Sequence, residues 1–187
     1  VRATPLRLAD GTGAADLVFA DAPAERLVAG AGGRVLDRAL DGTRILLAAE
    51  LLGVMRATFA MTLDYLRTRR QFGRAIGSFQ ALQHRAVDLY VQVELTQAAL
   101  GLALDQWQGG DDPARRAAAA SAAKARASDA AFLVGREAVQ MHGAIAYTLE
   151  HDVCLHLARA MTSGALLGNG AAHRRRYAAL TAATLVA

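Results

Sequence analysis

A basic stretch in the first half of the chain combines residues that could bind an anion. The segment RTRRQFGRAIGSFQ (67–80) carries four arginines, two glycines and two phenylalanines. Guanidinium groups and unpaired backbone amides at a turn are groups that bind phosphate in proteins. A solvated turn between two helices could have the same composition, and the physical chemistry of the stretch alone favours that simpler interpretation. Both alternatives stay open at this point.

Length and composition are those of an ordinary folded domain. The chain has 187 residues, of which 53% are hydrophobic and 20% are charged, so it is neither disordered nor collagen-like. No run approaches the roughly 20 uncharged apolar residues of a transmembrane helix, and no membrane span is predicted. The arginines behind the net charge of +4 are spread along the chain, so a nucleic-acid partner is not expected.

Cysteine usage points to a reducing compartment. The single cysteine, Cys154, excludes an internal disulfide and a multi-cysteine metal site. No metal site is predicted, because the histidines share no trustworthy spacing with carboxylates. We therefore expect a cytoplasmic protein.

Two kinds of periodicity divide the chain. Residues 1–34 hold two short extended segments, PLRLAD and ADLVFADAP, separated by the turn sequence DGTG. Two strands cannot form a stable sheet alone, so this part is predicted to be the end of a β-domain. Because the chain opens with VRATPLRL and no methionine, we expect it to continue a longer polypeptide. Residues 35–187 are predicted to form a separate α-helical bundle domain.

The bundle is predicted from apolar residues that recur at helical spacing. A first helix is expected from about Asp41 to Thr68, and a second from an N-cap at Ser78 to the glycine pair 109–110. A third begins with the cap and proline of the sequence DDP (111–113) and runs to about residue 141. A loop at 142–148 and two shorter helices follow, the first at about 150–167. The two apolar stripes comprise Leu52, Met55, Phe59, Leu63 and Leu66 on the first helix, and Leu82, Ala86, Leu89, Val93, Leu100, Leu104 and Trp107 on the second.

The basic stretch also carries a family pattern. The sequence RTRRQFGRAIGSFQALQHRAVDLYV resembles the signature R-x-QFG-x-x-I-x-x-FQ-x-x-x-H of the C-terminal domain of acyl-CoA dehydrogenases. In that family the matching Arg and Gln contact the FAD pyrophosphate across a subunit interface. The resemblance therefore implies that Arg69 and Gln71 bind FAD and that Phe72 lies beside the adenine half of the cofactor.

Two further segments extend the resemblance over nearly the whole chain. DGTRILLAAELLG is similar to the start of the family's first bundle helix, which implies that Asp41 and Arg44 lie at the acyl-CoA pocket. EAVQMHGAIAYTLEHDVCLHLARA resembles the family's glycine loop, which implies further FAD-binding residues. These are Gln140, His142, Gly143 and Ala144.

The glycine loop departs from the family pattern at two positions. Ala144 and Ala146 replace glycines, and each adds a Cβ atom that restricts positive φ and close approach of the backbone. One interpretation is that an ordinary helix–helix loop tolerates the alanines. The other is that this half of the FAD site has decayed, and the sequence slightly favours it.

The position of the family's catalytic base is also altered. The usual glutamate position falls on Leu167, and the alternative position on the first bundle helix falls on Thr43; neither side chain can act as the base. Glu50 lies two turns beyond Thr43 on the same face, within LLAAELLG, where burial would raise its pKa. One hypothesis is therefore that Glu50 is the base, and the other is that it is a structural residue paired with a bundle arginine such as Arg85.

The resemblance implies a reaction and an assembly. Family members perform α,β-dehydrogenation of an acyl-CoA thioester, with FAD as hydride acceptor and an electron-transfer flavoprotein downstream. They assemble as dimers of dimers, and some bacterial members are α2β2 heterotetramers in which only one subunit type keeps the base. Two hypotheses follow: an active dehydrogenase subunit, and a catalytically silent partner that completes an FAD site.

Overall fold

The computed structural model describes residues 1–30, 32–109, 112–148 and 150–182, which form a helical bundle preceded by a β-hairpin. The predicted fold class, mainly α with strands before the bundle, is confirmed. The bounds of the elements are β1 Arg2–Arg7, β2 Gly13–Val18, α1 Gly32–Thr68, β3 Arg70–Gln71, β4 Arg74–Ala75, α2 Gln80–Gly109, α3 Pro113–His142, α4 Val153–Ala165 and α5 Gly170–Ala182. Short 3-10 turns cover Ile76–Ser78 and Gly143–Tyr147.

The N-terminal hairpin has the form of a sheet fragment. Strands β1 and β2 pair antiparallel from Arg2↔Val18 to Arg7↔Gly13. Both strands are exposed along their whole length, and Phe19 just after β2 is 67% exposed. Within the described residues no third strand pairs with this hairpin.

Helix α1 begins nine residues earlier than predicted, at Gly32 instead of Asp41. The early turns escape a periodicity argument because their apolar residues, Val35 and Leu36, are more than half exposed and mark no buried face. By length and composition alone α1 could cross a membrane, since an 18-residue window has a mean hydropathy of 1.5. One face of the helix packs in the bundle core, where Leu51 and Met55 are fully buried.

Helix α3 is the centre of the bundle and packs against α1, α2, α4 and α5. Its alanines allow close approach, and Ala120, Ala127 and Ala138 have 0–1% of their surface exposed. At Gly135 the approach is tight, since an added Cβ would lie 2.9 Å from Leu157 Cδ1 on α4. This layer of small side chains fixes the spacing at which α1, α2, α4 and α5 surround α3.

Of the two N-caps predicted from the sequence, Asp112 is confirmed and Ser78 is not. Asp112 caps α3, since its carboxylate accepts from the Ala114 amide at 2.8 Å, with Pro113 in the first turn. The N-cap assignment of Ser78 is wrong. Its hydroxyl donates to the Ala75 carbonyl at 2.7 Å inside a 3-10 turn, and α2 starts two residues later.

One residue of a predicted apolar stripe and several predicted boundaries differ from the structure. Leu104, predicted on the buried stripe of α2, is 40% exposed, because its neighbour Ala103 faces the core instead. The predicted loop at 142–148 is largely the 3-10 turn, and α4 is shorter than predicted at both ends. The predictions for Gly110, Asp111 and the last turn of the final helix, at 183–185, fall outside the described residues.

Candidate functional site

The basic stretch folds into a short β-hairpin with a two-residue turn at the end of α1. Arg70 pairs with Ala75 and Gln71 with Arg74. Phe72 and Gly73 form the turn with φ values of +52° and +78°, as in a type I′ turn. The Ile76 amide then donates to the Arg69 carbonyl at 2.8 Å and closes the base of the hairpin. The side chains of Arg69 and Gln71 are exposed, so both can reach an anion.

Phe72 has a conformation that costs free energy. A bulky side chain at positive φ is strained, and the Phe72 side chain is also 90% exposed. Its ring meets the Phe79 ring edge-on at 6.0 Å, while the Arg74 guanidinium lies 4.1 Å over the Phe79 ring. A strained and exposed aromatic residue on a tight turn is typical of a surface that contacts another molecule.

The C-terminal end of α3 supplies the second segment. His142 is 3% exposed, and its Nδ1–H donates to the Ala138 carbonyl at 2.7 Å. Among the described residues its buried Nε2 atom has no hydrogen-bond partner. Burial lowers the pKa of His142, and the nearby His151 lowers it further. The imidazole is therefore held neutral at physiological pH.

Gly143 ends α3 with φ +69°, and a Cβ atom added there would meet nothing within 4 Å. Ala144 is exposed, whereas Ala146 is fully buried beside Val139 and Val153. Neither alanine is among the positive-φ residues of the described chain. The Ala146 methyl group therefore fills the core and leaves the surface at Gly143 open, so only Ala144 adds a methyl group there.

These two segments meet at one end of the bundle. The carbonyl of Tyr65, in the last turn of α1, accepts from the Arg69 amide at 2.8 Å. The ring of Tyr65 stacks on His142 with a centroid distance of 4.5 Å. The hairpin (69–76) exposes Arg69 and Gln71, and the turn after α3 at 143–144, which we call the Gly143 corner, is open. Together they fit an extended anion such as a dinucleotide pyrophosphate.

Glu50 is not in the apolar environment that the sequence predicts. Its carboxylate accepts from Arg159 Nε at 2.5 Å and from Ser163 Oγ at 3.1 Å, both on α4. Glu50 thus forms an ion pair with a bundle arginine, as the second hypothesis expects, but the partner is Arg159. Arg85, the example named from the sequence, pairs instead with Glu137 of α3 at 2.5 Å. A guanidinium group and a hydroxyl group therefore already bind the carboxylate that the first hypothesis assigns as the base.

Arg159 also ties the N-terminal hairpin to the bundle. Its Nη1 lies 2.7 Å from the carboxylate of Asp10, in the turn between β1 and β2. Hydrogen bonds from Thr12 and from Arg159 hold the pKa of Asp10 at about 2, below its usual 3.8. Sequence reasoning missed Arg159, since its partners are 109 and 149 residues away in the chain.

Asp41 and Arg44, the predicted substrate-binding residues, form a buried ion pair at 2.8 Å. Arg176 of α5 joins the same carboxylate at 2.8 Å. Asp41 and Arg176 line a pocket of about 660 Å³, whose walls include four arginines and Trp107. Asp37 and Asp41 also line the pocket, so its arginines outnumber its carboxylates by four to two, and this balance suits a ligand that carries negative charge. The four arginines are Arg34, Arg38, Arg116 and Arg176.

Leu167, at the position of the usual base, lies in a loop held by the buried side chains of His173 and Lys124. It has φ +56°, and its carbonyl accepts from His173 Nε2 at 3.0 Å. Lys124, fully buried, donates to the carbonyls of Gly164 at 2.9 Å and Gly168 at 3.1 Å. Burial, together with the nearby charge of Arg44, lowers the pKa of Lys124 to about 8. These hydrogen bonds hold the loop in place, yet the exposed side chain of Leu167 cannot accept a proton.

Comparison with known proteins identifies the family of the chain. The family model described as "Acyl-CoA dehydrogenase, C-terminal domain" matches residues 30–180. This chain therefore belongs to the acyl-CoA dehydrogenase family, whose members are FAD-dependent oxidoreductases. It is 43% identical over 141 residues to acyl-CoA dehydrogenase IpdE2 of Mycolicibacterium smegmatis, an alignment that covers 74% of this chain and 42% of that relative.

Two solved structures are similar over nearly the whole chain. The Tcur3481–Tcur3483 steroid ACAD has a TM-score of 0.90 and 28% identity, and the match covers 100% of this chain and 50% of that chain. The ChsE4–ChsE5 complex from Mycobacterium tuberculosis has a TM-score of 0.81 and 29% identity, with 97% and 49% covered. The chain thus spans 42% of the length of IpdE2 and about half of the length of these two solved chains.

Proposed function

We propose that this chain is a subunit of an FAD-dependent acyl-CoA dehydrogenase and provides half of a flavin site that another subunit completes. The observation that carries the proposal is that the Arg69 hairpin and the Gly143 corner meet at one end of the bundle through Tyr65. The reaction is α,β-dehydrogenation of an acyl-CoA thioester, and FAD, when bound, accepts the hydride.

Each residue of the half-site has a role of its own in the proposal. The Arg69 guanidinium binds pyrophosphate oxygens, and the Gln71 amide donates a further hydrogen bond. The exposed Phe72 ring covers the adenine half of the cofactor. Gln140, Gly143 and Ala144 form the opposite wall, where Gly143 leaves room for close approach. His142 is buried and supports this wall from behind.

The substrate proposal rests on the arginine-lined pocket. An acyl-CoA thioester carries phosphates that these arginines could bind, while Asp41 holds Arg44 and Arg176 in place. An electron-transfer flavoprotein as the electron acceptor and a cytoplasmic location belong to the same proposal.

A second candidate is a catalytically silent subunit within an α2β2 dehydrogenase. Two observations favour it over an active subunit: the base position is Leu167, and the Glu50 carboxylate is engaged by Arg159 and Ser163. The similarity to a ChsE4–ChsE5 complex supports an assembly of two related chains. In this candidate the partner supplies the proton-abstracting group, and this chain binds and orients the cofactor.

The test compares the tagged chain alone with the oligomer in which it is isolated from its host. Flavin absorbance and acyl-CoA-dependent reduction of an artificial electron acceptor are measured on both samples. Flavin and turnover in the chain alone would support the active subunit, whereas flavin and turnover only in a mixed oligomer would support the silent partner. Absence of flavin from both samples would overturn the proposal.

A further inference from the structure

A tyrosine at the end of α1 joins the two segments of the half-site. The hairpin that carries Arg69 and the corner at Gly143 are about 70 residues apart in sequence. Tyr65 contacts both, through its backbone on one side and its ring on the other. Its carbonyl accepts from the Arg69 amide at 2.8 Å, which sets where the chain leaves α1.

The ring of Tyr65 faces a histidine whose orientation is fixed. It stacks on His142 at 4.5 Å with an interplanar angle of 29°, and meets His151 edge-on at 6.0 Å. The His142 ring cannot rotate freely, because Nδ1–H is bonded to the Ala138 carbonyl. The next residue, Gly143, turns the chain out of α3, and its amide still donates to the Val139 carbonyl. The stack therefore fixes the corner relative to the end of α1.

The hairpin cannot easily shift away from α1 on its other side. Gly77, just after the hairpin, packs so tightly that an added Cβ would lie 2.8 Å from the Leu66 carbonyl oxygen. The hairpin thus moves with the last turn of α1, and at this end of the bundle the Tyr65 ring connects that turn to the corner of α3.

We propose that Tyr65 is a positioning residue, which sets the distance between Arg69 and the Gly143 corner and so pre-organises the flavin half-site. The proposal rests on the proposed function, because it assumes that these two segments bind one ligand. Tyr65 acts through its ring face and its carbonyl, so the hydroxyl group is dispensable and a phenylalanine can replace it.

The experiment measures FAD affinity by fluorescence titration of the flavin-stripped oligomer with the parent chain, Tyr65→Phe and Tyr65→Leu. Loss of one aromatic stack corresponds to a change of about 3- to 10-fold in affinity, so Tyr65→Leu is expected to raise the Kd by that factor. Tyr65→Phe is expected to stay within about 2-fold of the parent, because it keeps the stack. Tyr90→Leu, at an exposed tyrosine of α2, is the matched control.

A double-mutant cycle separates positioning from general loss of structure. If Tyr65 acts through the hairpin, Tyr65→Leu should cost much less affinity when Arg69→Ala is already present. Hydrogen exchange of the FAD-free protein is a second readout, with faster exchange expected in both 69–77 and 140–147 for Tyr65→Leu only. Should Tyr65→Leu fail to fold, Tyr65→Met takes its place in every arm.

The outcomes distinguish the two proposals. Absence of FAD binding by the parent oligomer would overturn the proposed function. Binding by the parent with an unchanged Kd in Tyr65→Leu, or with fully additive losses in the cycle, would overturn the role of Tyr65 and leave the proposed function standing.

Discussion

Arg159 Nε lies 2.5 Å from the Glu50 carboxylate, so the acidic residue that the sequence suggests as a base is bound to a cation. Ser163 donates to the same oxygen, and the other end of Arg159 binds Asp10 of the N-terminal hairpin. The arrangement makes Glu50 part of a connection between α1, α4 and the N-terminal hairpin. A carboxylate in that position stabilises the ionised Arg159 and is poorly placed to take up a substrate proton.

Replacing Glu50 should therefore affect stability more than catalysis. A general base typically contributes about 10²- to 10⁴-fold to the rate, and we expect Glu50→Gln to change the turnover of the assembled enzyme by less than about 3-fold. Steady-state kinetics with a saturating acyl-CoA provide the measurement. Glu137→Gln, which disturbs the pair with Arg85, is the matched control. A loss of about 100-fold or more at Glu50 alone would identify it as the base.

Gly77 should be intolerant of any side chain. A Cβ there would lie 2.8 Å from the backbone oxygen of Leu66, and a carbonyl in a helix cannot move aside. We expect Gly77→Ala to lower the free energy of unfolding by about 1–3 kcal/mol in urea titration.

Gly53 on α1 provides the control for that experiment, since a Cβ atom there meets nothing within 4 Å. Gly53→Ala should be stabilising by about 0.5–1 kcal/mol, because alanine is the better helix former. Equal effects of the two substitutions would show that close packing at Gly77 is not what matters.

Two buried histidines should make the fold sensitive to mild acid. Desolvation lowers the pKa of both His142 and His173 from the ordinary 6.5. As pH falls through 6.5, the unfolded chain binds these protons before the folded chain does, so stability is full above that pH and declines below it. Thermal midpoints between about pH 8 and pH 5 should fall less steeply in His173→Gln and His142→Gln than in the parent.

His84→Gln controls for the loss of an imidazole from an exposed position on α2. Identical slopes in the parent and in both buried-histidine variants would contradict the assignment of the acid sensitivity to His142 and His173.

Lys124 should make the stability of the fold depend on pH in the alkaline range. Its pKa is lowered from 10.5 to about 8 in the folded chain, chiefly by burial. Between those two values the unfolded chain holds the proton and the folded chain releases it, so stability rises as pH increases from 8 toward 10.5. Urea midpoints of the parent should therefore rise relative to those of Lys124→Met over this window. A constant difference between the two chains would show that the Lys124 ammonium does not titrate there.

The sequence predicts the long helices well because their buried residues repeat at helical spacing, as Leu52, Met55 and Leu66 do on α1. It also predicts the Asp112 cap, since capping is a local interaction. The start of α1 is missed where Val35 and Leu36 are exposed, because an exposed stretch carries no burial pattern.

The site is predicted less completely, for physical reasons that differ from residue to residue. The segments that carry Arg69 and Gly143 follow from the family pattern, and the structure shows that they share one end of the bundle. A tight hairpin with Phe72 at positive φ runs against local preference, which disfavours a bulky residue there. The partner of Glu50 depends on the packing of α4 on α1 across 109 residues of sequence, which no local pattern encodes.

The account depends most on Arg69 as a ligand of the flavin pyrophosphate. The direct measurement is the FAD content per oligomer, by absorbance of the released flavin, for the parent, Arg69→Ala and Arg67→Ala. Arg67 is an exposed arginine two residues away in the last turn of α1 and serves as the control. We expect Arg69→Ala to lose most of its flavin at micromolar protein concentration and Arg67→Ala to keep it. Full flavin occupancy in Arg69→Ala would contradict the claim that this hairpin forms half of the site.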